Sequence, residues 1–79
     1  AQGITASGKR VAVGMVAMSS YYPFGTQIMI NGVMYTVEDR GGSGLENDIS
    51  RVDIFVPDHN EALRRGRYQT TAYIYRIGR

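Results

Sequence analysis

The run "TQIMINGVMYTVE", residues 26 to 38, constrains this chain more than any other. Two strand-like stretches flank Asn31-Gly32. That dipeptide favours a two-residue type I′ turn, because both of its residues tolerate positive φ. In the first arm Ile28 and Ile30 alternate with Gln27 and Met29. In the second, Met34, Thr36 and Glu38 alternate with Tyr35, Val37 and Asp39. Period-two alternation marks a half-buried strand, so a β-hairpin is expected here.

The rest of the chain is compatible with that hairpin. Residues 1–14 are small and polar with three glycines, and they suggest a loop with a short strand at Arg10–Val13. "MVAMS" (15–19) suggests a buried strand, and Pro23 and Gly25 mark a turn after it. "RVDIFV" (51–56) suggests another strand. "PDHNEALRRG" (57–66) suggests one short helix, with Asp58 as N-cap, Glu61 completing a capping box, and Gly66 closing the end. Arg64 and Arg65 in its last turn suit the helix dipole. "RYQTTAYIYRIGR" (67–79) alternates as a final strand. The 79 residues suit one domain, mainly β with one short α-helix, and the short strands between turn signals suggest a small barrel.

Composition removes several chemistries. There is no cysteine, which excludes thiolate zinc sites, iron–sulfur clusters and cysteine nucleophiles. No apolar run approaches the roughly 20 residues needed to span a bilayer, and no signal peptide is visible. The net charge of +2 fits weak attraction to polyanions without choosing among them. A nucleic-acid groove needs a basic stripe with interleaved aromatics. Only Arg64, Arg65, Arg67 and Tyr68 hint at one, so no nucleic-acid partner is expected.

The chemistry-bearing stretch is "VEDRGGSGLENDISRVDIF" (37–55), which gathers Asp39, Asp48 and Asp53 around a glycine-rich loop. Alternation sets Val52 and Ile54 on one face of their strand, and Asp53 on the other with Arg51 and Phe55. Beside Phe55 the carboxyl is expected to be partly buried, which raises a pKa toward what a general acid needs. The competing role for Asp53 is to pair with an arginine and hold the loop. "DRGGSGLENDIS" lacks the ligand register of a calcium loop, and "GGSG" lacks the lysine and serine of a phosphate cradle. His59, the only histidine, falls at the start of the expected helix. No metal site and no cofactor are expected. Tyr21-Tyr22, beside the Pro-Phe-Gly turn, offer an aromatic face for a sugar or a side chain for the core, and core packing is favoured for one of the pair.

"TASG" (5–8), "GMVAMS" (14–19), "PFGT" (23–26), "YTVEDRGG" (35–42), "RVDIF" (51–55) and "EALRRGR" (61–67) follow one another in a familiar order. Over nearly its whole length the chain resembles the three-aspartate domain of MltA-type lytic transglycosylases and stationary-phase survival proteins. It is more distantly similar to the barrels of rare lipoprotein A and the expansins. Each motif alone is weak, and together in order they are fairly specific. The resemblance implies a six-stranded double-psi β-barrel around a polysaccharide groove. It implies non-hydrolytic cleavage of the MurNAc–GlcNAc bond of peptidoglycan to an anhydro sugar, in a secreted, wall-associated or virion-associated protein.

Carried over onto matching positions, the resemblance makes Asp53 the catalytic acid/base and Asp39 the second site carboxylate. Gly41 and Gly42 become the pair that lets the loop pass close to sugar. Thr5 and Thr26 become hydrogen-bond donors to substrate; Tyr22 is expected at the groove from its aromatic face and not from a matched motif. Three departures follow. The family's first aspartate falls on Met18, so one carboxylate is lost. The loop between Asp39 and Asp53 is a few residues longer than usual and contains Asp48, which either replaces the lost acid in space or is a solvated loop residue, the latter being favoured. The family's opening strand is missing ahead of Ala1, so the barrel is either truncated or completed by strand exchange in a homodimer. The loss of one aspartate also keeps open a non-catalytic, expansin-like glycan-binding or structural barrel.

Overall fold

The structure, a computed structural model, describes residues 3–58, 60–61, 64 and 66–78. The hairpin forms as expected: β2 (Gln27–Ile30) pairs antiparallel with β3 (Val33–Asp39). Asn31 and Gly32 join them with φ of 50° and 80°, the conformation of a type I′ turn. Before the hairpin, β1 (Met15–Ala17) pairs parallel with β3, and after it β4 (Asp53–Ile54) pairs antiparallel with β1. The last strand, β5 (Ala72–Arg76), pairs antiparallel with β2. The result is one mixed sheet of order β4-β1-β3-β2-β5 with two free edges. The sheet does not close, and five strands are present among the described residues rather than six.

One face of the sheet carries the core. Val16, Met18, Ile28, Ile30 and Val37 form its centre, with Tyr22, Tyr35, Val52 and Ile54 packed against them. Val16 stands opposite both Val37 and Ile54, so the core crosses three strands at one level. Each fully buried aliphatic side chain there contributes about 1.5–3 kcal/mol. Tyr22 is thus the core member of the tyrosine pair, while Tyr21 is exposed and meets it edge-on at 5.1 Å.

The turn at Pro23–Thr26 docks on β3. Gly25 at φ 88° supplies the positive φ that a type II turn requires at its third residue. The Thr26 N–H donates to the Pro23 carbonyl, and Gly25 and Thr26 exchange hydrogen bonds with Val37 at 2.7 and 2.8 Å.

Several local expectations change. Arg10–Val13 forms no strand; only an isolated bridge joins Ile4 and Arg10. The 51–56 strand is reduced to Asp53–Ile54. A short helix not foreseen from the sequence, α1 (Ser43–Glu46), occupies the glycine-rich loop. It buries Leu45 against Gly41. Of the helix expected over 57–66, Asn60, Glu61 and Arg64 are helical; His59, Ala62, Leu63 and Arg65 lie outside the described residues. The alternation of the last strand does not bury one face: all five residues of β5 are exposed.

Candidate functional site

The site is built on Ala17. In the β1–β3 pairing Val16 stands opposite Val37, but Ala17 stands opposite Asp39, so Glu38 is an extra residue and β3 bulges there. In the β1–β4 pairing Ala17 stands opposite Asp53. Asp39 and Asp53 therefore flank the same residue on neighbouring strands. Without the bulge, strict alternation would send Asp39 to the core face with Val37. A bulge re-aims a side chain by shifting the register by one residue. Both aspartates consequently line one cleft of about 300 Å³, with Thr5, Val11, Ala17 and Phe55. Two strand spacings separate their backbones, about 10 Å.

The two carboxylates are held differently. Asp39 Oδ1 accepts the backbone N–H of Ala6 and its own neighbour Arg40, each at 2.9 Å. The first of these bonds ties the loop of residues 5–9 over the end of β3, assisted by Ser7 N–H to the Glu38 carbonyl at 3.1 Å. Asp53 is exposed, and its carboxylate forms no hydrogen bond or ion pair among the described residues. The partial burial expected of Asp53 is absent: the residue is exposed on β4, an edge strand of the sheet. The arginine pairing that competed with a site role is absent too among the described residues. The face assignment holds only in part: Phe55 lines the cleft with Asp53, and Val52 and Ile54 pack on the core, but Ile54 lines the cleft as well.

The other expected site residues divide. Thr5 reaches the cleft, yet its buried hydroxyl is used locally, donating to the Lys9 carbonyl and paired with Ser7 Oγ, both at 3.1 Å. Thr26 is fully buried away from it. Its hydroxyl donates to the Pro23 carbonyl at 2.7 Å and accepts the Gly78 N–H at 3.0 Å, so it clamps the chain after β5 onto the 23–26 turn. Gly41 and Gly42 are exposed at the start of α1. A side chain at Gly41 would collide with Leu45, so packing onto α1 explains that glycine.

Asp48 is a loop clasp: its Oδ1 accepts the Ser50 N–H at 3.0 Å and the Ser50 hydroxyl at 2.6 Å. Those bonds hold its carboxyl below the usual range. Glu46 is likewise lowered, first by the Ser20 hydroxyl and then by the Ser20 N–H, which tie α1 to the segment after β1. Arg40 lies over the Phe24 ring at 4.0 Å. Met18, where the family's first aspartate falls, points into the core.

Two features escaped sequence reasoning. Val11 lines the cleft from a loop, and no local signal points there. Glu38 is buried to 2% exposure and meets Lys9 at 3.2 Å, on the face that it shares with Met34 and Thr36. Among the described residues no cluster of three or more metal-ligating side chains occurs, and no helix is long and apolar enough to cross a membrane. No family model matches the chain, and no curated protein or solved structure matches it.

Proposed function

We propose that this domain cleaves the glycan strand of peptidoglycan as a lytic transglycosylase, acting outside the cell or in the wall. The observation that carries this is the shared register of Asp39 and Asp53 on Ala17, which brings two carboxylates to one open cleft. Asp53, unpaired and accessible, protonates the glycosidic oxygen between MurNAc C1 and GlcNAc O4. The C1–O4 bond breaks, and the charge that develops on the ring is oxocarbenium-like. Asp53, now a carboxylate, takes the proton of the muramic C6 hydroxyl as that oxygen bonds to C1. The products are a 1,6-anhydro end and a free GlcNAc hydroxyl. Since the nucleophile comes with the substrate, one carboxyl serves first as acid and then as base. Asp39, pinned by two N–H donors, supplies fixed negative charge beside the reacting carbon.

Under the same proposal the open sheet is the larger part of a double-psi barrel. The parallel β1–β3 pair between antiparallel neighbours supports this, and the free edges at β4 and β5 are where an exchanged strand from a second copy would add. Light scattering after size-exclusion chromatography tests the exchange, a monomer mass being the outcome that rejects it.

Incubation with purified peptidoglycan and mass spectrometry of the released fragments tests the activity. Anhydro-muropeptides are expected from the parent and none from Asp53→Asn. Release by neither rejects the enzyme, and equal release by both rejects Asp53 as the acid. A second, non-catalytic reading draws on Met18: with that side chain in the core, the cleft has two carboxylates where the family pattern has three aspartates. Binding to peptidoglycan without any release is its signature.

A further inference from the structure

The cleft does not end at Asp39. The face of the sheet opposite the core carries a second, larger cavity of about 590 Å³, and Met15 lines both. Its floor is a cross-strand row. Met15 stands opposite Thr36, Thr36 opposite Gln27, and Gln27 opposite Arg76. All four line the cavity, with Lys9 and Glu38. Residues in register on neighbouring strands share a face, so the row runs from the edge of the first cleft to the far edge of the sheet. Asp53 on β4 and Arg76 on β5 are four strand spacings apart, about 19 Å.

The two ends carry opposite charge. Asp39 and Asp53 stand at one end. Lys9 and Arg76 stand at the other, around the buried carboxylate of Glu38, which Lys9 meets at 3.2 Å. Lys9 is half-exposed in that pair, and Arg76 is exposed with no hydrogen bond or ion pair among the described residues. Among the described lining residues two cations and one anion leave one net positive charge, which matches a singly charged anion. A guanidinium offers a planar fork that fits a carboxylate.

We infer that the Lys9–Glu38–Arg76 cavity is a carboxylate-binding subsite, continuous with the Asp39–Asp53 cleft. The ligand is an acidic chain that crosses the sheet, with its carboxylate at Arg76 while its sugar lies over the aspartates. On the proposed function, on which the identity of the ligand rests, that group is a carboxylate of the stem peptide borne by the glycan. The substrate is then a glycan that still carries its peptides, and a naked strand engages only half of the surface.

The test is a binding titration followed by NMR on Asp53→Asn, which stops turnover at an exposed position. Three probes are used: a muropeptide with free stem carboxylates, the same fragment with those carboxylates amidated, and the free stem peptide. The free-acid muropeptide is expected to bind on the order of tenfold more tightly than its amide, the scale of one charge-assisted hydrogen bond. Its titration is expected to move the signals of Gln27 and Arg76. Arg76→Gln is expected to erase the tenfold difference. Arg67→Gln, which removes one positive charge outside the cavity, is expected to keep it. Equal affinity for acid and amide, or a difference that survives Arg76→Gln, overturns the subsite and leaves the cleavage proposal standing. Failure of every probe to bind overturns both. Arg76-dependent binding of the free peptide, with no anhydro product from the parent, supports the subsite and overturns the glycan chemistry.

Discussion

Under the proposed function Asp39 has two tasks at once, and they separate by mutation. Its Oδ1 fastens the first loop through Ala6 N–H, so Asp39→Ala is expected to cost about 1–2 kcal/mol of stability as well as activity, because a loop amide loses its charged acceptor. Asp39→Asn keeps an acceptor oxygen, so it is expected to lose activity with a smaller loss of stability. Urea unfolding beside the muropeptide assay distinguishes the two. Thr26 is the opposite case. The family resemblance makes it a donor to substrate, whereas here its hydroxyl is buried and doubly used inside the fold. Thr26→Val is expected to destabilise by about 1–3 kcal/mol by orphaning the Gly78 N–H, with activity per folded molecule unchanged. Ser20 and Glu46 give a pH signature. The Ser20 bonds lower the Glu46 pKa from its ordinary 4.5. A lowered pKa means that the folded state favours the carboxylate. The added stability is therefore present above pH 4.5 and is lost as pH falls through the lower folded value. Unfolding measured across that window is expected to show a shallower acid slope in Ser20→Ala than in the parent.

At the scale of elements, the strands are unequal. β2 and β3 sit at the middle of the sheet, and Ile28 and Val37 are wholly buried. β5 lies at an edge with Tyr73, Ile74 and Tyr75 exposed. Ile28→Ala is expected to cost about 2–5 kcal/mol, and Ile74→Thr on edge strand β5 less than about 1 kcal/mol; equal losses in thermal unfolding would show that β5 is covered in solution. The hairpin turn makes a separate demand. Gly32 sits at φ 80°, where a side chain costs about 1–2 kcal/mol, so Gly32→Ala is expected to lower the unfolding free energy by that amount, as measured by urea unfolding. These elements were legible because their signals are local: a turn dipeptide and a two-residue period. β5 shows where the same signal fails. Its alternation is as regular as that of β3, yet no layer covers either of its faces. α1 was illegible for a related reason. It is a single turn in a glycine-rich stretch, held by the burial of Leu45 and by Glu46 reaching Ser20.

Across the whole molecule, the proposed function depends on how distant segments align. The fold brings Thr5, Val11, residues 15–17, Asp39 and residues 53–56 to one cleft, and the sheet continues through Gln27 to Arg76 at the other edge. A small open sheet of this kind has few buried side chains to spare, so its loops depend on polar clasps such as Asp39–Ala6, Asp48–Ser50 and Glu46–Ser20. By itself the sequence determined a β-rich chain without thiol chemistry and a type I′ hairpin at Asn31-Gly32. Each follows from composition or from neighbours along the chain. The tertiary structure alone decided that Asp39 leaves the core face, that the Asp53 carboxylate is unpaired among the described residues, that Thr26 and Met18 serve the interior, and that Met15 lines both the cleft of the acids and the cavity of Arg76. The reason is register. A one-residue bulge at Glu38 reverses which face a side chain takes, and the position of a bulge is set by pairing between β1 and β3, some twenty residues apart, rather than by anything beside Asp39 in the chain.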